Sequence, residues 1–338
     1  MRMKTILITG GTGFIGSNFI NFFLKKYDQY KVINIDKLTY AANKKNLEDV
    51  EQNSHYKFIH GDIANNRFIS SIFKKYSIDG VINFAAESHV DNSIKNPNIF
   101  IKSNINGTFN LLNASFKQWT SKGSIINKKH IESRFLHVST DEVYGSLGKE
   151  GFFTEESSYS PNSPYSASKA SSDMIVRSYF KTYNFNVVLT NCSNNYGPKQ
   201  HDEKLIPTII RNALKNQPIP IYGNGKNIRD WLYVEDHCNA IDLVFHNGKI
   251  GEQYNIGGDY EKTNLDIAKN ICSVLDNLKP QDNAYSSLIK FVEDRAGHDF
   301  RYAIDASKIK KELNWTPKES FESGIQKTIS WYLEKYSN

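Results

Sequence analysis

The sequence predicts an α/β protein built on a doubly wound parallel sheet, followed by a smaller mixed α/β part. Six apolar runs alternate with segments of helical periodicity. The runs are nearly continuous rather than alternating, as in parallel strands that helices cover on both faces. Strand and helix segments repeat in this order through about residue 190, which indicates an open sheet. The runs are KTILIT (4–9), KVINID (31–36), YKFIHGD (56–62), GVINFAA (80–86), RFLHVS (134–139) and NVVLTN (186–191).

Composition excludes several classes of protein. The chain has 338 residues, 39% hydrophobic and 23% charged, with a net charge of +6, as expected of a globular chain with a sizeable core. Because the basic residues are scattered, we expect neither nucleic acid nor a membrane as a partner. No apolar stretch has the length of a membrane span, and the histidines lack metal-ligand spacing. Three widely separated cysteines favour a reducing compartment, and we expect the cytoplasm.

The first run leads into a glycine-rich turn and an amphipathic helix. Gly10, Gly13 and Gly16 are spaced G-x-x-G-x-x-G, and Gly11 with the last two also satisfies G-x-G-x-x-G. Glycine permits a tight turn and the close approach of a pyrophosphate, and the helix N-terminus supplies N–H donors and a favourable dipole. A tight turn without a ligand is the alternative. The position between a strand and a helix favours a dinucleotide-binding (Rossmann) site.

The second and third runs end in acidic residues. Asp36 lies twenty residues beyond Gly16, where a carboxylate binds a ribose 2′-hydroxyl and repels a 2′-phosphate. This position favours NAD over NADP. Asp62 and Ile63 follow the third run, where they could flank the adenine. An ordinary solvated loop acid is the alternative for Asp62.

The fifth run is followed at once by Thr140, Asp141 and Glu142. Carboxylates at the rim of a core are costly unless they are solvated or functional. Consecutive strand residues face opposite sides, so both carboxylates reach one ligand only if the strand ends near Thr140 and the backbone turns. A solvated pair at a strand end is the alternative.

The segment YSASKA places Tyr165 and Lys169 four residues apart, on one face of a helix that Pro164 would begin. An ammonium near a phenol favours the phenolate, so we expect Lys169 to lower the pKa of Tyr165. Tyrosine then becomes a base for a sugar hydroxyl. Alone, this spacing is a frequent accident, but here it follows a dinucleotide turn and a strand that ends in a hydroxyl residue.

Proline and glycine crowd the chain after the segment NCSNNYGP. We therefore predict that residues 1–190 form the NAD-binding domain and that residues 191–338 mainly bind the substrate. Segments near 230–255 are expected to return to the first domain.

Several motifs together resemble the extended short-chain dehydrogenase/reductase family of NAD-dependent epimerases and dehydratases, over essentially the whole length. They are GGTGFIG, NFAAESHVD, STDEVYG, YSASKA, NNYGP and RDWLYVEDH. DKLTYA, EKLIP and DRAGHDFRYAID are most similar to the sugar-nucleotide dehydratases of that family. The resemblance implies NAD-dependent 4,6-dehydration of dTDP-glucose to the 4-keto-6-deoxy sugar in deoxysugar biosynthesis, such as that of rhamnose. The alternatives are an epimerase, a decarboxylase, or a 4,6-dehydratase acting on another nucleotide sugar such as UDP-glucose.

The resemblance also implies roles for the catalytic residues. Thr140 would hydrogen-bond the sugar 4-oxygen, and Tyr165, assisted by Lys169, would remove the 4-hydroxyl proton. Glu142 would then remove the C5 proton, and Asp141 would protonate the departing 6-hydroxyl.

The binding residues fall into two groups. The expected cofactor-binding residues are Gly10, Gly13, Phe14, Ile15, Gly16, Asp36, Lys37, Leu38, Thr39, Asp62, Ile63, Phe84, Ala85, Ala86, Ser88, Ser103, Tyr165, Lys169 and Asn191. The expected substrate-binding residues are Ser88, Thr140, Asn194, Lys204, Leu205, Pro220, Tyr222, Arg229, Asn264, Asp294, Arg295 and His298. Arg229 suits a bidentate phosphate contact. For each residue alone, a surface charge or a turn-capping amide is the alternative.

Two further expectations follow from the resemblance. Asn92, Ala296 and Phe300 depart from the family pattern, which leaves the preferred nucleotide base open. Family members usually pair through two helices, one of which carries the residue at position 165, so we expect a homodimer. Apolar residues of SSDMIVRSYFKTYN permit this pairing, although they could equally pack on the sheet.

Overall fold

The structure is a computed structural model that describes residues 3–121 and 125–337. Its strands are β1 Lys4–Thr9, β2 Tyr30–Asp36, β3 Tyr56–His60, β4 Gly80–Asn83, β5 Arg134–Thr140, β6 Val187–Cys192, β7 Asn194–Tyr196, β8 Ile219–Tyr222, β9 Ile228–Tyr233, β10 Gln253–Ile256, β11 Glu261–Thr263 and β12 Ile289–Val292. Its α-helices are α1 Phe14–Lys26, α2 Glu48–Glu51, α3 Asn66–Lys75, α4 Val90–Lys95, α5 Pro97–Phe100, α6 Thr108–Trp119, α7 Pro164–Tyr183, α8 Leu205–Leu214, α9 Val234–Asn247, α10 Asn264–Leu278, α11 Ser307–Leu313 and α12 Phe321–Ser337. Ile101–Gly107 is a π-helical segment between α5 and α6.

Seven strands form one sheet in the order β10-β6-β5-β4-β1-β2-β3. Every neighbouring pair is parallel. The predicted doubly wound parallel sheet is therefore confirmed. The direction of winding changes between β1 and β4, and ligands of such sheets bind outside the carboxyl ends of the strands at that point.

The sheet is covered on both faces, as its apolar runs predict. Phe19 and Phe23 of α1 lie in one core cluster with Ile6, Ile8 and Val32 of the first two strands. A second cluster joins Leu7, Ile33 and Val81 of the sheet to Leu111 of α6 and Val176 of α7. Consecutive strand residues such as Ile6 and Leu7 thus enter opposite cores, which is why the run is continuously apolar.

Two small sheets follow the large one. β9 lies between β7, which is parallel to it, and β11, which is antiparallel. β8 and β12 form a parallel pair. Helices α8, α10 and α12 enclose a separate core that includes Ile209, Ile271 and Ile329. The predicted smaller mixed α/β part is confirmed.

The chain returns to the large sheet after β9. Ile241 and Val244 of α9 pack in the same cluster as Phe19 and Phe23 of α1. β10 then pairs with β6 as the seventh strand. The returning segment thus begins at Val234, because β9 itself belongs to a small sheet. In the described ranges, no helix combines the length and the hydropathy needed to cross a membrane.

Candidate active site

The glycine turn after β1 forms the floor of a cleft at the switch point. Gly10 has φ of +69°, and a Cβ there would lie 2.7 Å from the backbone of Ala85, in the segment after β4. A Cβ at Gly16 would lie 2.4 Å from the carbonyl oxygen of Gly10. The first turn of α1 carries no acidic side chain. Its N-terminal N–H groups and dipole therefore fit a pyrophosphate.

Asp36 ends β2 beside this turn. One carboxylate oxygen accepts a hydrogen bond from the backbone N–H of Thr12 at 3.0 Å, and the other accepts from that of Leu38 at 2.8 Å. Each oxygen keeps a further lone pair, so the carboxylate can still accept from ribose hydroxyls. Lys37 pairs with Asp62 at 2.9 Å across the ends of β2 and β3. The cleft thus fits a dinucleotide from its pyrophosphate to its adenosine end.

The catalytic candidates lie where β5 ends. Thr140 is the last residue of the strand, and Asp141–Tyr144 form a 3₁₀ turn directly after it. The Thr140 hydroxyl accepts from the N–H of Glu142 at 3.3 Å and donates to Asp141 at 3.2 Å. The strand therefore ends where the sequence argument required, and Thr140, Asp141 and Glu142 all line the cleft.

The two carboxylates have different electrostatic surroundings. Burial raises the pKa of Asp141 well above its usual range, and the nearby Glu142 and Asp230 raise it further. Burial also raises the pKa of Glu142, but the cations Lys204 and Arg229 oppose that rise. Asp141 is thus the carboxylate that more strongly favours the protonated form, because nearby cations partly offset the rise in the pKa of Glu142.

Helix α7 presents Tyr165 and Lys169 to the cleft. Ser163 caps the helix in a reciprocal box with Ser166, and Pro164 is its first residue. The Lys169 ammonium donates to the carbonyl oxygen of Val138 at 2.7 Å. Burial lowers the pKa of Lys169 to about 8.

The expected effect of Lys169 on Tyr165 is not what the structure shows. The pKa of Tyr165 is raised well above its usual range, first by burial and then by the negative charge of Glu142. Desolvation and a neighbouring carboxylate therefore set the direction in which the pKa of Tyr165 shifts. The spacing of Tyr165 and Lys169 on one helix face does not reveal how burial and nearby charges set the pKa of Tyr165.

Most predicted cofactor residues line one cleft together. They are Gly10, Gly13, Phe14, Ile15, Gly16, Asp36, Lys37, Thr39, Asp62, Ile63, Phe84, Ala85, Ala86, Ser88, Ser103, Tyr165 and Lys169. Leu38 and Asn191 lie outside this lining. Leu38 uses its backbone N–H to hold Asp36. Asn191 is fully buried and donates to the carbonyl oxygen of Thr140 at 2.9 Å, so it supports the catalytic strand.

The predicted substrate residues divide into two sets. Ser88, Thr140, Asn194 and Lys204 line the cleft. The other eight lie outside its lining, and three of these are Leu205, Pro220 and Asn264. The remaining five form an outer cluster that is linked by ring contacts, an ion pair and charge interactions: Tyr222, Arg229, Asp294, Arg295 and His298.

The outer cluster is held by contacts within the protein. Arg229 donates to the carbonyl oxygen of Asp299 at 3.0 Å and lies over the ring of Tyr302 at 4.3 Å. Arg295 pairs with Asp91 at 2.5 Å, which joins this cluster to the segment after β4. Both arginines nevertheless act electrostatically on Glu142. The cluster thus acts on the cleft through the charges of its two arginines.

Several residues of the cleft were missed by sequence reasoning. They are Ile35, Ala41, Ala42, Gly61, Glu87, Val138, Ser139, Cys192, Ser193, Asn195, Gln200, His201 and Glu203. Cys192 ends β6, and Ser193 follows it, at the same carboxyl edge as Thr140. The rule that ligands bind at this edge could have identified them. Gln200 and His201 lie in an irregular segment for which the sequence offers no such signal.

The comparisons with known proteins match this geometry. A family model described as GDP-mannose 4,6 dehydratase matches residues 7–328. The chain belongs to this family. It is 52% identical to the dTDP-glucose 4,6-dehydratase of Salmonella typhimurium over 337 residues, which covers 97% of this chain and 92% of that protein. The resemblance to the dehydratases, inferred from the motifs, is confirmed.

Solved structures of the family share the whole fold. A dTDP-glucose 4,6-dehydratase from Bacillus anthracis, in complex with NAD, superposes with a TM-score of 0.86 and is 46% identical, covering 99% of this chain and 98% of that one. A dTDP-glucose 4,6-dehydratase from Streptomyces venezuelae, also with NAD bound, gives a TM-score of 0.88 at 41% identity, covering 98% of each chain. The family fold therefore extends over both the large sheet and the smaller part.

Proposed function

We propose that this chain catalyses the NAD-dependent 4,6-dehydration of dTDP-glucose to dTDP-4-keto-6-deoxyglucose and water. The observation that carries the proposal is that Asp141, Glu142 and Tyr165 share one cleft with the glycine turn. Such a cleft can oxidise a sugar and also remove water from it. Relatives that are about half identical over nearly the full chain are dTDP-glucose 4,6-dehydratases.

The cofactor of the proposed reaction is NAD. Gly10, Gly13 and Gly16 would hold its pyrophosphate at the N-terminus of α1, and Asp36 would hold the adenosine ribose. When bound, NAD accepts a hydride from sugar C4 and later returns it to C6. The residues of the chain supply the proton transfers described next.

Oxidation at C4 is assigned to the residues at the β5 end and on α7. Thr140 would hydrogen-bond the 4-oxygen, and Tyr165 would take its proton. Because burial and the negative charge of Glu142 raise the pKa of Tyr165, the phenol must first release its own proton to solvent before it can act as this base. Lys169 lines the same cleft and supplies a positive charge that favours the phenolate.

Elimination of water is assigned to the adjacent carboxylates. Once C4 is a ketone, the C5 proton is acidic, and Glu142 removes it as a base. The C6–oxygen bond breaks, and Asp141 gives its proton to the departing hydroxyl, which leaves as water. The surroundings support this division, because Asp141 favours its protonated form and cations surround Glu142. Glu142 then returns its proton to C5, and Asp141 takes a proton from solvent, which balances the proton that Tyr165 released. All three groups are thereby restored.

An epimerase would use the same cleft without this carboxylate pair. Inverting a hydroxyl at C4 needs oxidation and re-reduction at one carbon, and no acid for a leaving group at C6. The paired Asp141 and Glu142 therefore favour dehydration over epimerisation.

Product analysis tests the proposal. The purified protein is incubated with dTDP-glucose, UDP-glucose and GDP-mannose in parallel, and each product is weighed by mass spectrometry. We expect dTDP-glucose to lose one water at the highest rate. A product of unchanged mass would indicate an epimerase. If another nucleotide sugar were dehydrated faster, that sugar rather than dTDP-glucose would be the preferred substrate.

We propose that two copies of the chain form a homodimer through the helices around α7. Apolar side chains are exposed on this side, at 43% for Ile94, 43% for Ile99, 49% for Ile101, 43% for Phe109 and 48% for Met174. Helices α4, α5 and α6 pack directly on α7, so these residues belong to neighbouring elements. A face of this kind on a folded protein commonly marks an interface.

Sedimentation of a charged variant tests the homodimer. We expect Phe109→Glu to sediment as a monomer because the carboxylate would be buried unpaired in the interface. Leu278→Glu, at a residue that is 51% exposed at the end of α10, is the matched control and keeps the wild-type mass. If Phe109→Glu is still a dimer, this face is not the dimer interface.

We propose the cytoplasm as the location of the protein. All three cysteines, Cys192, Cys238 and Cys272, are free and buried. A chain that folds without disulfides suits a reducing compartment. Fractionation of cells that express the untagged chain tests this location.

A further inference from the structure

A buried polar network lies directly behind Lys169. Tyr165, Lys169 and Asp173 follow one another at intervals of four along α7, so they share one helix face. Tyr165 and Lys169 line the cleft, whereas Asp173 lies outside its lining and is only 2% exposed. A carboxylate enclosed in this way is costly unless a positive charge lies near it.

His137 lies between the carboxylate and the ammonium. Its Nε2 atom lies 3.3 Å from the Lys169 ammonium and 3.4 Å from a carboxylate oxygen of Asp173. Its Nδ1 atom lies 3.1 Å from the side-chain amide nitrogen of Asn83, whose oxygen accepts from the Thr9 hydroxyl. The ring is fully buried in the centre of β5, and burial with the nearby Lys169 lowers the pKa of His137 to about 4. The imidazole is thus neutral and held from both sides.

The other oxygen of Asp173 is held only by neutral groups. It accepts from the hydroxyl of Ser139 at 2.8 Å, from that of Tyr159 at 3.0 Å and from the amide of Asn191 at 3.4 Å. None of these donors cancels the charge. Among the described residues of this network, Lys169 is the positively charged group.

The titratable groups around Lys169 come from three elements. His137 lies on β5, Cys192 ends β6, and Asp173 lies on α7. Burial raises the pKa of the Cys192 thiol to about 12, so this group is neutral at physiological pH. Asp173 therefore supplies the negative charge that opposes the desolvation of Lys169.

We infer that Asp173 is a positioning residue that acts through His137 and Lys169, providing the fixed counter-charge that keeps the Lys169 ammonium charged and directed into the cleft. One N–H of that ammonium is donated to the carbonyl oxygen of Val138. The other N–H groups remain available to ligands in the cleft. The consequence for turnover rests on the proposed dehydratase function, whereas the consequence for NAD binding does not.

The test compares Asp173→Asn with the wild type from about pH 6 to about pH 9, in dTDP-glucose turnover and in NAD affinity. Asp173 raises the pKa of Lys169, so its removal lowers that pKa, and the protonated fraction is lost at a lower pH. A fall of about one pKa unit reduces this fraction about tenfold on the alkaline side and leaves it unchanged well below the pKa. We expect the ratio of the variant value to the wild-type value to fall about tenfold from the acid end to the alkaline end of this pH range, both for turnover and for NAD affinity.

Two controls separate charge from packing. Tyr159→Phe removes a hydrogen bond to Asp173 but keeps its charge, so we expect the pH profile of the wild type. In a Lys169→Met background, Asp173→Asn should no longer change the pH dependence of NAD affinity. If Asp173→Asn does not fold, Asp173→Ser removes the same charge with a smaller side chain and carries the same expectation.

The outcomes separate this inference from the proposed function. A ratio that is constant from acid to alkaline pH would show that Asp173 is only structural and would overturn the inference. The wild-type protein could process no dTDP-glucose while NAD affinity still declines at a lower pH in Asp173→Asn than in the wild type. That result would overturn the proposed function and leave the inference standing.

Discussion

Asp141 and Glu142 are chemically similar neighbours for which we propose opposite tasks. Asp141 is buried, and the negative charges of Glu142 and Asp230 disfavour its ionisation. Burial also raises the pKa of Glu142, but the cations Lys204 and Arg229 oppose that rise. Environment rather than residue type thus separates the proposed acid from the proposed base.

Replacing Glu142 by glutamine should separate oxidation from elimination. Glu142→Gln keeps Tyr165 and Thr140 intact, so C4 is still oxidised, but no base removes the C5 proton. We expect NADH to accumulate in a single turnover and dehydration to fall about 10²–10⁴-fold. The absorbance of NADH after rapid mixing measures the first effect.

Glu150→Gln is the matched control for this experiment, because Glu150 is exposed after the same turn. It should turn over like the wild type. Dehydration by Glu142→Gln at the normal rate would assign the base to another residue.

Replacing Tyr165 by phenylalanine should stop the reaction earlier. The 4-hydroxyl then lacks its base, so neither NADH nor product forms, and turnover falls about 10²–10⁴-fold. NAD affinity should fall far less than turnover, because the glycine turn and Asp36 are untouched. Stopped-flow absorbance together with equilibrium NAD titration checks both effects. NADH formed at the wild-type rate would exclude Tyr165 as the base.

At the scale of elements, the turn between β1 and α1 depends on close backbone approach. A Cβ at Gly16 would lie 2.4 Å from the carbonyl oxygen of Gly10, so Gly16→Ala must open the turn. We expect NAD affinity to fall about tenfold or more, which corresponds to about 1.4 kcal/mol. Titration calorimetry measures the loss.

Gly148→Ala is the matched control for the turn. A Cβ at Gly148 would meet no atom within 4 Å, and its φ is not in the left-handed region. NAD affinity should stay at the wild-type value. Equal losses in the two variants would mean that the close packing at Gly16 does not shape the site.

Strands and helices could be predicted where a local sequence pattern identifies them. The apolar runs and the glycine turn identified six of the seven strands of the large sheet and α1, and the end of β5 at Thr140 followed from the requirement that both carboxylates reach one cleft. The electrostatics could not be predicted in this way. The pKa of Tyr165 and the neutral state of His137 depend on burial and on charges from distant segments.

At the scale of the whole molecule, the cleft is closed by contacts between distant parts of the chain. Lys204 donates to the carbonyl oxygen of Ser88 at 3.0 Å, and Arg295 pairs with Asp91. Both contacts join segments after β4 to the smaller part. The cleft is therefore lined by residues of the large sheet and of the smaller part.

Long-range assembly also limited the sequence argument. The return of the chain to the large sheet was expected near residues 230–255, and α9 and β10 do pack there, whereas β9 joins a small sheet. A strand's partners depend on residues far along the chain, which periodicity does not report. The proposed division at residue 190 stays a prediction.

The most direct test of the dehydratase proposal follows one hydrogen through the whole reaction. dTDP-glucose carrying deuterium at C4 is incubated with the wild-type protein, and the product is analysed by mass spectrometry and NMR. We predict a product that has lost one water and carries the deuterium at C6, because the hydride removed from C4 is returned there. Deuterium lost to solvent, or retained at C4 in a product of unchanged mass, would contradict the coupling of oxidation to elimination in this cleft.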